Sequence, residues 1–101
     1  MTLYSKGELV REIYGDTRDI DFALPMFLVD KIVETLGCSD GAIIGNFVYS
    51  YRDHSHGTLC PVTETGVELL RIINKVMEVD FPFPEKIFHT GFEEVMTSEG
   101  V

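Results

Sequence analysis

The sequence predicts an α+β fold in which a small antiparallel hairpin or sheet packs against helices. Three observations lead to this class: helix-spaced apolar residues that follow capping boxes, one β-branched and aromatic run, and a short second run that contains a proline. A two-stranded sheet is only marginally stable alone, so helices must cover it or a second copy must extend it. The predicted order is α-α-β-β-α-(extended)-α, in a single domain over residues 1–101.

The first helix is predicted from its N-terminal end. Ser5 and Glu8 have the S/T-x-x-E spacing of a capping box, and the apolar residues that follow them have helical spacing. We therefore expect a helix over about 6–14. The polar connector that follows, 16–21, is rich in carboxylates that can cap the start of a second helix.

The second helix, predicted over 22–36, has an unusually wide apolar face. Pro25 falls within its first turn, where a missing N–H costs little because that donor has no partner in any helix. Phe27 and Leu28 widen the apolar arc beyond an ordinary amphipathic stripe. This predicts either a central helix or one whose outer half meets a second subunit.

Two strands are predicted in the middle of the chain. The run 42–51 is β-branched and aromatic, and both of its faces carry apolar residues, so both should be covered in part. Gly45 within this run predicts a bulge or a close backbone approach. The return strand, 58–62, contains Pro61, which cannot donate to a ladder and therefore predicts a short edge strand.

The C-terminal third is predicted to hold one long helix, an extended segment and a short helix. Thr65 and Glu68 form a second capping box before the amphipathic run 66–79, which again has a wide apolar arc. Two prolines make 80–86 extended, and a third capping-box pattern predicts a final helix over about 91–97. The surplus apolar surface of two wide-arc helices predicts a homo-oligomer, with a dimer as the first expectation, against the alternative of a monomer that packs them internally.

The charge balance is strongly acidic. Seventeen carboxylates oppose eight lysines and arginines, for a formal net charge of −9 at pH 7. Such a surface repels a phosphate backbone, which argues against nucleic-acid polymers as partners and favours a basic protein partner. The simpler alternative is that the acidic charge only keeps a small protein soluble.

Cysteine usage and hydropathy predict a cytoplasmic protein. Cys38 and Cys60 are too few for a disulfide scaffold, and Cys60 beside a proline on an apolar strand is best interpreted as a buried, unreactive thiol. The first ten residues have no apolar core of the kind that signal peptides carry, and the longest apolar run is too short to span a bilayer. We expect reduced thiols and no membrane association.

The leading candidate site is the tip of the predicted hairpin. Two tyrosines and an arginine beside two histidines make the only locally cationic or neutral patch in an acidic chain, and an arginine fork suits phosphate or carboxylate. A small anionic ligand, if there is one, should bind there. The alternative is a solvated turn. The candidate ligand-binding residues are Tyr49, Tyr51, Arg52, His54, His56 and Thr58.

The hairpin tip also contains possible metal ligands and a possible nucleophile, but the sequence favours neither a metal site nor a nucleophilic site there. Asp53, His54, His56 and Cys60, with His89 from elsewhere, include residue types that zinc accepts, but their spacing is not specific to zinc sites. The aspartates at 16, 19 and 21 lack the spacing of a calcium loop and are better explained as caps and turn formers. We therefore predict no metal, no cofactor and no catalytic residue, and lean against an enzyme.

Three functions remain as hypotheses. The favoured one is a small acidic binding or inhibitory protein that sequesters or blocks a partner as a homo-oligomer, as immunity proteins, antitoxins and phage anti-defence proteins do. The second is a small-molecule binder that holds an anionic metabolite or nucleotide at the 49–58 hairpin tip. The third is a metal-dependent enzyme that uses His54 and His56.

Overall fold

A computed structural model of the chain, which describes residues 5–51 and 57–86, has four helices around a three-stranded antiparallel sheet in that part. This confirms the predicted α+β class. The elements in chain order are α1 (Lys6–Tyr14), β1 (Ile20–Asp21), α2 (Met26–Leu36), α3 (Asp40–Asn46), β2 (Phe47–Ser50), β3 (Thr58–Pro61) and α4 (Glu64–Met77).

The central strand of the sheet is β2, which pairs antiparallel with both of its neighbours. The register with β3 sets Val48 against Cys60 and Ser50 against Thr58. Pro61 therefore lies in an edge strand, as the sequence predicts, and the hydroxyl of Tyr14 donates a 2.6 Å hydrogen bond to its carbonyl oxygen. This bond ties α1 to the C-terminal end of β3.

Both faces of the sheet are covered, which explains why all four residues of β2 are buried. Alternate side chains of a strand point to opposite faces, so each face of β2 and β3 contributes to a different apolar cluster. One cluster joins the sheet to α1 through Leu9, Val10, Val48, Cys60 and Val62. The other joins it to α2, α3 and α4 through Leu24, Val29, Ile32, Ile43, Phe47, Tyr49, Leu59, Leu70 and Ile73.

The first helix starts where the sequence predicts, whereas the second starts four residues later than predicted and the last starts two residues earlier. The capping box of Ser5 and Glu8 is complete, since each side chain accepts a hydrogen bond from the backbone N–H of the other residue. The second helix starts at Met26, with Pro25 in the N-cap position and no side-chain cap. Thr63 caps α4, which starts at Glu64, so the predicted capping box of Thr65 and Glu68 is wrong because Thr65 already lies within the helix.

The largest difference concerns residues 40–46, which form a helix and not the first half of a strand. Ser39 caps this helix by accepting a hydrogen bond from the N–H of Ala42, and Ile43 is buried while Ile44 is exposed. Intrinsic strand preference is weak and yields to capping and burial. The predicted bulge at Gly45 is therefore wrong, because Gly45 lies within α3.

The second difference is β1, a two-residue strand within the predicted polar connector. Ile20 and Asp21 pair with Ser50 and Tyr49, and this pairing adds a third strand to the sheet. A strand of two residues carries too little alternation to be seen in a sequence. The predicted helix over 91–97 lies outside the described residues.

After α4 the described chain, up to Lys86, forms neither helix nor strand, and it is fastened back onto the helix. The backbone turns at Glu78, which takes a left-handed conformation with φ of 54°. The Asn74 side chain then forms two 3.0 Å hydrogen bonds with the backbone of Phe81, one as donor and one as acceptor. Phe81 packs against the larger apolar cluster, so this segment belongs to the core.

Candidate functional site

The hairpin tip lies between the end of β2 and the start of β3, and the structure describes the residues that flank it. Tyr49 and Tyr51 lie on the β2 side of the tip, and Thr58 lies on the β3 side. Arg52, His54 and His56 lie outside the described residues, so their predicted role in ligand binding stays a prediction.

The two tyrosines of the tip are in contact. Their ring centroids are 5.0 Å apart and the ring planes are perpendicular, which is a favourable edge-to-face geometry for aromatic rings. Tyr49 is buried, and that burial, with a smaller contribution from Tyr51, raises the pKa of its hydroxyl. Tyr51 is 51% exposed, so its ring can contact a ligand or a second chain.

Gly57 makes room for the Tyr49 ring. Its φ is +80°, and a Cβ at this position would lie 2.3 Å from Cζ and from the hydroxyl oxygen of Tyr49. Only glycine accommodates both that backbone conformation and that approach. Thr58 is buried beside it and pairs with Ser50. Among the described residues that flank the tip, Tyr51 is thus the one whose side chain is exposed to solvent.

No metal centre forms in the described part of the chain, where no three His, Cys, Asp or Glu side chains are grouped to hold an ion. His54, His56 and His89 lie outside it. The carboxylates of the connector are used locally, since Asp16 pairs with Arg18 at 2.6 Å and Asp21 accepts a hydrogen bond from the N–H of Ala23.

The thiol of Cys60 is buried beneath α1. It lies 3.5 Å from the carbonyl oxygen of Thr58, and Cys38 and Cys60 are both free thiols. Burial, with a further contribution from Cys60, raises the pKa of the Tyr14 hydroxyl. Cys60 is therefore buried, as the sequence predicts, in surroundings that are typical of unreactive thiols.

Lys6 forms a long-range contact that the sequence does not predict. Its Nζ donates a 2.7 Å hydrogen bond to the carbonyl oxygen of Ile44, near the C-terminal end of α3. Burial lowers the pKa of this amine from 10.5 to about 8. The bond links residues 38 positions apart, and no local pattern signals such a pair.

The outer face of α2, formed by Met26, Phe27, Asp30 and Glu34, combines apolar and acidic side chains. Met26 is 58% exposed and Phe27 is 73% exposed, whereas Val29 and Ile32 on the opposite side are buried. Asp30 lies three and four residues from the two apolar side chains, and Glu34 lies one turn further. Among the described residues, no basic side chain pairs with Asp30 or Glu34.

A second apolar strip runs along α4. Ile72 is 48% exposed and Val76 is 50% exposed, and Leu69 continues the strip as a half-buried residue that also packs against the core. The wide apolar arcs predicted for both helices thus correspond to side chains that the described fold leaves at the surface.

No family model, curated protein or solved structure matches this chain. Among the described residues, none of the helices combines the length and the apolar character that crossing a bilayer requires.

Proposed function

We propose that this protein is a cytoplasmic binding protein that blocks a basic partner, as immunity proteins, antitoxins and phage anti-defence proteins do, and that it acts as a homo-oligomer. One observation carries the proposal. The outer face of α2 exposes Phe27 beside two carboxylates that have no basic partner among the described residues. Aromatic side chains, phenylalanine included, are enriched in protein interfaces, and charged side chains lie mostly at the polar rim around the buried centre.

The energetics favour a preformed docking face. Burying a side chain such as Phe27 or Met26 against a partner contributes about 1.5–3 kcal/mol each. Both lie in the first turn of a helix whose inner side is held by the core, so the backbone that carries them needs no ordering on binding.

The partner chemistry follows from charge. A net charge of −9 steers a basic protein toward the surface and speeds association. Asp30 and Glu34 then select Lys or Arg side chains that flank an apolar anchor. The complementary partner is an amphipathic basic helix, which buries its apolar face over Met26 and Phe27.

Calorimetric titration with a synthetic amphipathic helix of lysine and leucine tests this proposal. We expect Phe27→Ser to weaken binding by about tenfold or more, because the anchor contact is lost. Phe83→Ser removes another exposed phenylalanine elsewhere and is the matched control, which should leave the affinity unchanged. Equal affinities for Phe27→Ser and the unsubstituted protein would show that the peptide binds by charge alone.

A second candidate function is binding of a small anionic metabolite or nucleotide at the hairpin tip. The half-exposed ring of Tyr51 at the end of a well-paired hairpin supports it. Thermal-shift measurements with a panel of nucleotides and organic phosphates test it. A stabilisation that Tyr51→Ala abolishes would support the site, and no shift with any compound would remove this candidate.

A further inference from the structure

We propose that α4 forms an antiparallel pair with α4 of a second copy, related by a two-fold axis. The inference deepens the homo-oligomer part of the proposed function and rests on it. Its basis is the apolar strip of the half-buried Leu69 and the exposed Ile72 and Val76, together with the position of two opposite charges beside that strip.

The strip has the spacing of a coiled-coil seam. Leu69, Ile72 and Val76 are separated by three and four residues, so they occupy successive a, d and a positions of a heptad. Gly66 and Ile73, which take the e positions on one flank, are buried in the protein's own body. The other flank, with Glu68 and Lys75 at the g positions, faces solvent.

Glu68 and Lys75 make this surface complementary to itself. They are one heptad apart, and in an antiparallel pair the g positions of one helix face the g positions of the other. Glu68 of each copy then lies opposite Lys75 of the other copy, and the two-fold axis produces this contact twice. A parallel pair would set the same charges against the e flank, where Gly66 and Ile73 are buried.

Contacts within one copy leave these charges available. Glu68 and Arg71 are 3.7 Å apart with both side chains about two-thirds exposed, and such a pair contributes little. Among the described residues, no carboxylate lies within ion-pair distance of Lys75. Because α4 is already folded and packed in each copy, pairing requires no ordering of the helix.

Sedimentation equilibrium of the purified protein up to about 200 μM, with charge-reversed variants, tests this interface. We expect the unsubstituted protein to form a reversible dimer, and we expect Glu68→Lys and Lys75→Glu each to weaken it several-fold. The double variant restores opposite charges and should recover most of the affinity. Lys31→Glu changes the net charge as much as Lys75→Glu does, but on α2, and it should weaken the dimer less than Lys75→Glu.

Two results would overturn the proposal. One is a strict monomer over the whole concentration range, and the other is a dimer whose affinity the two α4 single variants change no more than Lys31→Glu does. Titration of the Lys75→Glu variant with the lysine and leucine peptide tests binding at the outer face of α2 separately from dimer formation. Loss of the dimer with retained peptide binding would leave the binding function in place.

Discussion

At the scale of single residues, Gly57 allows a direct test of how the hairpin tip is packed. A methyl group at this position would meet the Tyr49 ring at 2.3 Å and would also keep the unfavourable positive φ of +80°. We expect Gly57→Ala to lower the free energy of unfolding by about 2–4 kcal/mol, from backbone strain and overpacking together. Urea unfolding followed by circular dichroism measures the change.

Gly37→Ala is the matched control for this variant. Gly37 also has a positive φ, +71°, but a Cβ there would meet nothing within 4 Å. Its substitution should cost only the backbone term, about 1 kcal/mol. Similar losses for the two variants would show that the Tyr49 ring moves away easily and that Gly57 is not needed for packing.

Lys6 gives the protein a specific dependence of stability on pH. Its amine has a pKa of about 8 in the folded state and 10.5 when unperturbed, so the unfolded chain binds more protons between these values. Stability therefore rises with pH across that interval as the amine loses its proton. The neutral amine can still donate to the Ile44 carbonyl oxygen, so the hydrogen bond persists.

Urea midpoints of the protein and of Lys6→Met between pH 7 and about pH 10 test this dependence. We expect the unsubstituted protein to gain stability relative to Lys6→Met as the pH rises. Readings stop near pH 10 because Tyr14 and Tyr49 have raised pKa values. Their unfolded forms ionise first at higher pH, which lowers stability. Parallel pH curves for the two proteins would contradict the assignment.

At the scale of elements, the junction of α3, β3 and α4 depends on one hydroxyl group. Thr63 accepts a 2.9 Å hydrogen bond from the N–H of Gly66 and donates to the side-chain carbonyl oxygen of Asn46. The carbonyl oxygen of Asn46 in turn accepts a hydrogen bond from the N–H of Val62. The end of α3, the end of β3 and the start of α4 therefore meet at this point. Thr63 is fully buried, which raises the cost of losing these bonds.

We expect Thr63→Val, which keeps the shape of the side chain, to lower the free energy of unfolding by about 2–3 kcal/mol. Ser39→Ala removes a comparable cap from α3, but Ser39 is exposed, so its loss should cost about 1 kcal/mol. Chemical unfolding of both variants gives the comparison. A smaller loss for Thr63→Val than for Ser39→Ala would mean that the junction relaxes around the missing hydroxyl.

Elements whose end signals agree with the local residue pattern could be predicted from the sequence, and elements that depend on tertiary contacts or on a cap opposed by strand preference could not. The capping box at Ser5 predicted α1, and Pro61 predicted an edge strand. In contrast, β1 exists because two residues of a connector meet the edge of β2, and no local pattern encodes that meeting. In α3, Ser39 and the burial of Ile43 outweigh the strand preference of its isoleucines.

The candidate surfaces follow the same division. The wide apolar arcs of two helices predicted surplus apolar surface, and Phe27 and Ile72 are indeed exposed. The side of each helix that faces outward could be identified only from the packed structure, because periodicity alone does not say which part of a wide arc meets the core. The contact between Lys6 and Ile44 spans 38 residues and could not be predicted locally.

At the scale of the whole molecule, the net charge of −9 makes the two proposed interactions respond to salt in opposite directions. Two copies of the protein, each with this net charge and about 25 Å apart in water without salt, repel each other by an energy on the order of 10 kcal/mol. Salt near 0.1 M, with a Debye length of about 10 Å, removes most of that repulsion. The ion pairs between Glu68 of one copy and Lys75 of the other are exposed, so screening by salt weakens each of them by at most about 1 kcal/mol.

Raising the salt concentration from about 20 mM to about 200 mM should therefore strengthen self-association of the protein alone. The same change should weaken binding of the lysine and leucine peptide, because attraction between opposite charges is screened. Sedimentation equilibrium and calorimetry at matched salt concentrations measure the two responses. If both interactions weakened together, local charge pairs rather than overall repulsion would control the dimer, and the antiparallel contact would depend chiefly on Glu68 and Lys75.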